Sequence, residues 1–416
     1  MSTWTYSNSN ETNLMKQKYG KLIEKQFNMD NVILGRIKKK QDLGGKGIDI
    51  PLIQSIGGGV GAGSLPTANE NKIGLVRLND SKKLYATVTI DRETMKRAKK
   101  DSDSFVRMTK FPVQIAVKSF NRNLTRQILR NDIAGAGAIA TAEASGSHTT
   151  TKVYLENHDL AVFEAIEVGD LLDFYDNDAC SITGDGVEVS DIVVVDGGNG
   201  KSTTGSYIEF ASTVGATPAV NDVLYMQGSQ NNELDGIKGV LGAAVGTTYK
   251  AGGLTIGRRF KSYQKNASSA SISTDLLNDL VINIKRQSGE SPDMLLTSFH
   301  QFVKILNLLE DQKRYSLPAR DKKFKGQVSF AGVEFMSADG AIPVIPDRFM
   351  DSDKVYGLNT KHIELHQTPG GFEWFDEDGT VFLRESGVDS YSARYGGYCE
   401  LFINPHFQGE LNSLAV

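Results

Sequence analysis

The chain has 416 residues, a formal net charge of −4, 39% hydrophobic residues and 23% charged residues. This composition is ordinary for a globular protein and excludes a disordered or collagen-like chain. Its apolar runs are far shorter than the roughly 18 residues of a membrane span, its polar start carries no secretory signal, and Cys180 and Cys399 form neither a disulfide framework nor a zinc pattern.

The small net charge hides a division along the chain. Residues 1–130 hold 24 Lys+Arg and 11 Asp+Glu (net +13), and the rest holds 22 and 39 (net −17), which together give −4. Such asymmetry favours a polyanionic partner, or one part of the chain docking on another part of a neighbour. The alternative is that folding mixes both halves on one surface.

Residues 1–46 have the composition of an arm rather than a domain. A short helix is predicted around Leu14, Leu22, Ile23 and Phe27, but the segment has too few apolar residues for its own core. It must therefore pack on the same chain or on another. Its basic residues include Lys16, Lys18, Lys21, Lys25, Arg36, Lys38, Lys39 and Lys40.

Residues 47–98 predict a long two-stranded ribbon. Polar and apolar residues alternate around Ile50 and Val76, as they do in half-exposed strands, and a third strand follows at Leu84–Ile90. An isolated ribbon is marginal in water, so a neighbour is expected to support it. The predicted loop tip contains Gly57, Gly58, Gly59, Gly61 and Gly63, and basic residues near the ribbon are Lys82, Lys83, Arg92, Lys96 and Arg97.

Residues 101–134 show the clearest helix pattern. Residues 101–104 supply N-cap side chains, Pro112 predicts a kink or the true start, and the glycines at 135–137 predict the end. The predicted apolar positions are Phe105, Met108, Ile115, Phe120, Leu124, Ile128 and Leu129, and a basic face is expected from Arg107, Lys118, Arg122, Arg126 and Arg130.

Residues 146–232 differ in composition, with two basic and 14 acidic residues. Glycine, Asn and Asp clusters separate short strand patterns, which predicts a small β barrel or sandwich inserted into another domain. The predicted strands are Thr151–Leu155, Leu171–Tyr175, Val187–Val195, Ser206–Phe210 and Val223–Met226.

After residue 233 the pattern returns to mixed helices and strands. Helices are predicted at Leu276–Gln287 and Pro292–Leu309. The remaining residues are mostly strand-like, with strands predicted at Val355–Leu358, Ile363–Leu365, Val381–Leu383 and Tyr398–Ile403.

Three sequence motifs that could indicate ligand or metal binding do not meet the requirements of such sites. Val195–Ser202 ends in Gly-Lys-Ser, but Val195 replaces the first required glycine and a strand pattern follows, so a hairpin turn is predicted instead of a phosphate-binding loop. The Gly57–Gly63 cluster lacks the dinucleotide-binding spacing. His362 and His366 lie on a predicted strand, roughly 13 Å apart, and cannot share one ion. We predict no enzyme, catalytic residue, metal site or cofactor.

The order of these segments resembles that of tailed-bacteriophage major capsid proteins with the HK97-type fold. The arm, the glycine-tipped ribbon and the long helix resemble the family's N-arm, E-loop and spine helix. Gly340–Met350 with Val355–Asn359, and Asp389–Cys399, are similar to recurrent phrases of these proteins. The resemblance covers most of the chain, and residues 146–232 are its least standard part.

The resemblance implies an α+β fold with a peripheral (P) and an axial (A) domain. The implied divisions are an N-arm at 1–46, an E-loop at 47–98, the P domain with its spine helix at 99–145, an inserted acidic β domain at 146–232, a return to the P domain at 233–275, mainly the A domain at 276–384, and C-terminal strands closing the P/A core at 385–416. The insertion is expected on the outer surface of a shell.

The implied function is structural. Copies would form pentamers and hexamers of an icosahedral shell around double-stranded DNA, in a virion assembled in the host cytoplasm. The basic arm and ribbon residues would contact neighbouring subunits or packaged DNA. Because about 46 residues precede the ribbon, a separate scaffold protein or an already processed chain is expected, with portal and decoration proteins as further partners. The alternatives are an encapsulin shell, a monomeric β-rich binding module and, least, an NTPase.

Overall fold

The computed structural model describes most of the chain from residue 32 onwards. The described residues are 32–53, 73–79, 81–92, 102–133, 137–142, 148–175, 182–214, 217–219, 221–250, 254–311, 333–337, 340–376, 379–384 and 387–416. The chain divides into two compact units. The first unit comprises Met1–Gly45, Ser81–Thr125 and Leu365–Glu400, and the second comprises Lys46–Asp80, Arg126–Glu364 and Leu401–Val416.

The described elements are both helices and strands, so the predicted α+β class is confirmed. The helices are α1 (Val32–Arg36), α2 (Ser102–Arg130), α3 (Leu160–Phe163), α4 (Ile237–Gly242), α5 (Thr274–Ser288) and α6 (Phe299–Asp311). The strands are β1 (Lys38–Lys40), β2 (Ile48–Ile53), β3 (Ile73–Leu78), β4 (Lys82–Asp91), β5 (Ala140–Thr141), β6 (Lys152–Tyr154), β7 (Leu171–Tyr175), β8 (Ile182–Val193), β9 (Tyr207–Phe210), β10 (Val223–Met226), β11 (Tyr263–Asn266), β12 (Met294–Thr297), β13 (Val333–Ser337), β14 (Gly340–Pro346), β15 (Val355–Leu358), β16 (Ile363–Gln367), β17 (Glu373–Trp374), β18 (Leu383–Arg384), β19 (Ser390–Ile403) and β20 (Gly409–Asn412).

In the first unit, β19 is the central strand of a sheet that also contains β1, β4, β16, β17 and β18. Strand β4 pairs antiparallel with β19 over ten positions, from Asp91 to Lys82. Its buried residues, Leu84, Val88 and Ile90, recur at even spacing, which places them on one face. The third predicted strand is thus confirmed, and its partner is β19 rather than the ribbon.

Aromatic packing joins helix α2 to the sheet of the first unit. The ring of Phe120 meets the rings of Phe372 and Tyr395 edge to face, at centroid distances of 5.0 and 5.1 Å. This arrangement favours aromatic pairs because the positive ring edge meets the negative ring face. Two of the predicted apolar positions of the helix that lie in this unit, Phe120 and Leu124, are buried, but Ile115 is 49% exposed.

In the second unit, helices α5 and α6 contribute to one hydrophobic core with the sheet β11-β20-β15-β12-β14-β13. Helix α5 begins where the Ser273 hydroxyl accepts a hydrogen bond from the Leu276 N–H, and it ends at Gly289 with φ 82°. Gly357 and Gly409 are paired neighbours on β15 and β20. A Cβ atom at either glycine would lie 2.7 Å from Ile284, so both glycines permit the close approach of α5.

The predicted helix Pro292–Leu309 is wrong in its first part. Residues Met294–Thr297 form β12, which lies between β14 and β15, and only Phe299–Asp311 is helical. All four residues of β12 are buried. A strand buried on both faces is apolar throughout, and such a run cannot be distinguished from a buried helix by periodicity.

The strands predicted within residues 146–232 are confirmed, although β8 starts earlier than expected, at Ile182. Together with β5, which lies outside this segment, they form an antiparallel sheet in the order β5-β10-β7-β8-β9-β6. The loop that resembled a phosphate-binding motif is the predicted hairpin turn. There the Gly197 N–H donates to the Lys201 carbonyl at 2.9 Å, and Asp196 and Ser202 form a β-bridge.

The end of helix α2 contacts the segment that begins at Glu233. The Arg126 guanidinium donates to the Glu233 carboxylate, whose other oxygen accepts from the Asn131 amide at 2.7 Å. Arg126 and Glu233 are both buried. The predicted basic face is therefore wrong for Arg122, Arg126 and Arg130, because the first two residues are buried and the Arg130 side chain is only 10% exposed. The helix starts at Ser102, so Pro112 does not mark its start.

Gly236 and Gly239 allow this close contact, because a Cβ at either would lie within 2.4 Å of the backbone of Asn131 or Ile133. Substituting Gly239 gives a stability test. A Cβ on Gly239 would overlap the backbone of Asp132 and Ile133, whereas a Cβ on Gly242 in the same helix would meet only Glu410, at 3.9 Å. We expect Gly239→Ala to lower the free energy of unfolding by about 1–3 kcal/mol or more, because backbone cannot move aside as a side chain can. Gly242→Ala should leave stability unchanged or slightly raised. Urea unfolding of both variants tests this, and equal effects would contradict it.

Candidate assembly surfaces

The described part of the ribbon has an exposed apolar face. Strands β2 and β3 pair so that Ile53 lies opposite Ile73, and Pro51 opposite Leu75. Ile53, Ile73 and Leu75 are 69%, 66% and 47% exposed, respectively. These four residues, called the ribbon pad below, are followed along the strands by an ion pair between Arg77 and Asp49 at 2.9 Å. The opposite face contains Val76 and Leu78, which are fully buried.

A ribbon that is apolar on both faces is unusual for a surface element. Neighbouring apolar side chains that remain exposed along a strand mark a binding surface or an aggregation hazard. The ribbon pad is therefore the strongest sign of a partner among the described residues.

The sequence-predicted basic residues occupy several places. Lys38, Lys39 and Lys40 form the exposed strand β1, the end strand of the path β1-β16-β19-β17. Lys82 and Lys83 lie at the start of β4, and Arg92 forms an ion pair with Asp389 of the same unit at 3.2 Å. Arg36 lies at the end of α1 and is half-buried. The others lie outside the described residues: Lys16, Lys18, Lys21, Lys25, Lys96, Arg97 and the loop-tip residues Gly57, Gly58, Gly59, Gly61 and Gly63.

The sheet of the first unit presents a cluster of aromatic rings. Tyr85 is 47% exposed and contacts Phe375 and Tyr398 at centroid distances of 5.8 and 6.4 Å. The pKa of Tyr85 is raised to about 12, mainly because its hydroxyl is buried and also because it shares a hydrogen bond with Tyr398. Lys83 and Arg394 are exposed on the same strands. The cluster therefore combines half-exposed rings with cations, and the Tyr85 hydroxyl stays protonated at neutral pH.

A buried charge cluster holds the second unit together. The Asp351 carboxylate lies 2.9 Å from Arg130, 3.0 Å from Lys238 and 3.8 Å from Lys354. Lys354 also contacts Glu410 on β20 at 2.9 Å. Asp351 and Glu410 are 4% and 1% exposed. One loop carboxylate thus connects the end of α2 with the start of α4 and, through Lys354, with the strand β20.

The charges of this cluster stabilise one another. Burial alone would raise the pKa of Asp351, but Arg130, Lys238 and Lys354 outweigh it and hold that pKa well below its ordinary value. Burial would lower the pKa of Lys354, but Glu410 and Asp351 keep it above its ordinary value. Both groups are therefore charged at neutral pH, as a buried network requires.

The acidic β segment is attached to the same loop. The Ser352 N–H donates to the Asp159 carboxylate at 3.1 Å, and the Ser352 hydroxyl donates to the same oxygen. The turn glycine Gly200 lies beside Ser352 and His300. Burial and the nearby Lys304 lower the pKa of His300. The short side chain of Ser352 and the turn at Gly200 therefore fix the position of the acidic segment beside this loop.

The described residues offer no metal site: no group of three or more His, Cys, Asp or Glu side chains among them could hold an ion. No helix in this part of the chain is long and apolar enough to cross a membrane. His362 stacks on Phe407 at 3.6 Å and contacts Glu290, whereas His366 contacts Asp42 at 2.7 Å. The two histidines thus have separate partners, and only His366 lies on β16, because His362 ends the 3₁₀ turn Thr360–His362.

Part of the chain matches a capsid family. Residues 194–379 match the model of the family described as SU10 major capsid protein. None of the curated proteins matches the chain.

Several solved structures are similar at low identity. The capsid of Cyanophage A-1(L) has 10% identity and a TM-score of 0.49, over 93% of this chain and 94% of that chain. The Mycobacterium phage Patience structure has 8% identity and a TM-score of 0.40, over 100% and 91% of the two chains. An encapsulin complex from Synechococcus elongatus has 11% identity and a TM-score of 0.24, over 36% and 52%.

The family match carries the functional conclusion. It supports the prediction of a structural phage capsid protein over residues 194–379, which are less than half of the chain. The α+β architecture, with its ribbon, long helix and central sheets, agrees with the HK97-type fold that the resemblance implied.

The buried cluster gives a test of stability. Replacing Asp351 by Asn leaves Arg130 and Lys238 without this carboxylate, while Lys354 keeps Glu410, so we expect the free energy of unfolding at pH 7 to fall by about 3–5 kcal/mol. Asp353→Asn is the matched control, because burial and the nearby Asp159 raise the pKa of Asp353, so its charge is already unfavourable. The control should change stability by less than about 0.5 kcal/mol.

The effect of the Asp351→Asn substitution on the free energy of unfolding should depend on pH. Because the folded-state pKa of Asp351 is lowered, its contribution is complete above the ordinary Asp pKa of about 3.9 and is lost as the pH falls below it. The gap in unfolding free energy between the unmodified chain and Asp351→Asn should therefore narrow below about pH 4. A gap that stays constant down to the acid transition would contradict the account.

Proposed function

We propose that this major capsid protein forms pentamers and hexamers of an icosahedral shell that encloses double-stranded DNA. The observation that carries the proposal is the ribbon pad, an exposed apolar surface on a two-stranded element that needs support. A shell of identical subunits supplies that support, because each copy offers its neighbours both the ribbon and a surface to receive it.

Burial of the ribbon pad would stabilise the shell. Each fully buried Ile or Leu side chain contributes about 1.5–3 kcal/mol relative to an exposed one. The pad has two Ile and one Leu exposed by about half or more. These contacts are repeated around every subunit. Many weak contacts therefore add up to a large and cooperative interface.

The charge division assigns a second role to the arm. Residues 1–130 carry net +13 and the remainder carries net −17, so copies arranged with arms on neighbouring bodies would attract each other. Such attraction raises the association rate and sets the register more than it raises the final affinity. Basic residues that face the interior would instead contact DNA phosphates without regard to sequence.

The proposal includes the other partners that the capsid resemblance implied. These are a separate scaffold protein, a portal, decoration proteins and packaged DNA, with assembly in the host cytoplasm. The acidic segment 146–232 would lie on the outer surface, where its charge avoids the packaged DNA.

The ribbon pad can be tested by substitution. We expect the double variant Ile53→Asn, Ile73→Asn to fold normally, since both side chains are exposed in the single chain, but to assemble into few or no shells. The matched control is Ile282→Asn on α5, where the isoleucine is 50% exposed. Electron microscopy and sedimentation measure shell yield, and circular dichroism measures folding. Normal shells from the double variant would exclude the pad as an interface.

The arm can be tested by truncation before its buried part. Ile33 and Leu34 are buried, so the deletion should stop at residue 31. The deletion removes four lysines but also Glu11, Glu24 and Asp30, a net charge of +1, so it is combined with Lys38→Gln, Lys39→Gln and Lys40→Gln on the exposed strand β1. We expect this chain to fold, to assemble at least about tenfold more slowly at low salt, and to show a weaker salt dependence of the rate, because steering by exposed charges is screened within roughly 10 Å at 0.1 M salt. Light scattering across a salt series measures both. An unchanged rate and salt slope would contradict the proposed steering.

A further inference from the structure

The hairpin turn between β8 and β9 contains an Asn-Gly pair, Asn199 followed by Gly200, and this pair occurs nowhere else in the chain. Asn199 is exposed, so water reaches its side chain. Before a glycine, the side-chain amide of an asparagine is open to attack by the next backbone nitrogen, because glycine has no Cβ to obstruct the approach. The turn that does not meet the requirements of a phosphate-binding loop is therefore a candidate for covalent change.

The Asn199 side chain is held over its own backbone. The Lys201 N–H donates to the Asn199 Oδ1 at 3.1 Å, which closes an Asx turn. This turn curls the Asn199 Cγ over the peptide bond that joins Asn199 to Gly200. It also places the Lys201 N–H where it stabilises negative charge that develops on Oδ1 when a nucleophile adds to Cγ.

The same turn attaches the acidic segment to the rest of its unit. The Gly200 carbonyl accepts a hydrogen bond from the Leu160 N–H at 3.1 Å, and a Cβ on Gly200 would lie 2.9 Å from the Ser352 Cβ. Lys201 forms a β-bridge with Asp159, whose carboxylate accepts from the Ser352 N–H. A shift of Gly200 and Lys201 would therefore reach the contact between Asp159 and Ser352.

We propose that Asn199 is a deamidation site of the folded chain, and that its isoaspartate product loosens the attachment of the acidic segment to the loop at Ser352. The turn and all the contacts named above belong to one copy of the chain. The inference therefore goes beyond the proposed shell and does not depend on it.

The reaction needs only water as a co-reactant. The Gly200 nitrogen adds to the Asn199 Cγ and forms a C–N bond, and the side-chain amide leaves as ammonia with the proton of the Gly200 N–H. Water then opens the resulting cyclic imide. Cleavage of the bond between Cγ and the Gly200 nitrogen gives aspartate, whereas cleavage at the backbone carbonyl of residue 199 gives isoaspartate. In both cases one water is consumed and one ammonia is released.

The two products differ in their effect on the hairpin. Aspartate adds a negative charge but keeps the backbone and an oxygen acceptor for the Lys201 N–H. Isoaspartate also lengthens the main chain by one carbon before Gly200. The Gly200 carbonyl then cannot keep its place opposite the Leu160 N–H while the rest of the turn stays paired.

The site is tested by peptide mass spectrometry after the folded chain has been incubated at mildly alkaline pH. Asn157 and Asn221 are internal controls, because both are exposed residues of the same segment and neither precedes a glycine. We expect Asn199 to be converted at least about tenfold faster than either control, because the attacking nitrogen is held beside the amide. The Asn199→Ser chain keeps a short oxygen acceptor for the Lys201 N–H and should acquire no modification at this turn.

The loosening is tested by hydrogen exchange on the same samples. In the isoaspartate form we expect the Leu160 and Ser352 N–H groups to exchange at least about tenfold faster than in the fresh chain. The Gly186 and Gly228 N–H groups, which donate to Asp173 elsewhere in the sheet, should be unchanged. The Asn199→Asp chain is the matched control, because it carries the added charge without the longer backbone and should keep the exchange rates of the fresh chain.

Each result decides one part of the inference. Equal conversion of the three asparagines, or conversion of Asn199 only in urea-unfolded chain, overturns the modification site. Isoaspartate at residue 199 with unchanged exchange at Leu160 and Ser352 overturns the loosening, as does equally fast exchange in the Asn199→Asp chain. None of these results bears on shell formation, because every measurement is made on single chains.

Discussion

The buried carboxylate of Asp351 is the constraint on which the second unit depends. Four segments that are distant in the sequence meet around it: the end of α2 through Arg130, α4 through Lys238, the loop through Lys354 and β20 through Glu410. A buried ion pair contributes little net stability compared with well-packed hydrophobic residues, but removing one partner is costly. The cluster therefore acts mainly to select one arrangement of these segments, because every alternative leaves a buried charge unpaired.

Much of the fold follows from local patterns in the sequence. The strands of the acidic segment, the ribbon strands and helix α5 are found near their predicted positions because alternation and capping residues are local signals. The hairpin at Gly197 was predicted by a missing glycine and a following strand. Contacts between residues that are far apart in the sequence have no such local signal. Nothing in the sequence around Glu233 indicates that it pairs with Arg126, a residue 107 positions away.

The errors share a physical cause, which is burial that the sequence pattern does not display. Arg122 and Arg126 appeared to belong to a solvated basic face, but buried partners such as Glu233 allow a helix to bury its polar side. Residues Met294–Thr297 appeared helical because a strand buried on both faces has no alternation. The candidate surfaces were predicted only in part: the ribbon was expected, but the side on which Ile53 and Ile73 stay exposed depends on the register of β2 and β3.

The contact between Asp159 and Ser352 has a consequence for how such a protein changes over time. Ser352 follows Asp351 directly, so the acidic segment is attached beside the most constrained point of its unit. A lineage that lost residues 146–232 in one step would also lose the acceptor that fixes this loop, and a new acceptor would have to arise with the deletion. Sequence changes at the exposed strands of the segment carry no such requirement. The segment is therefore free to diversify at its exposed residues but difficult to discard, and descendants of this protein should differ in the sequence of the segment long before they differ in having it.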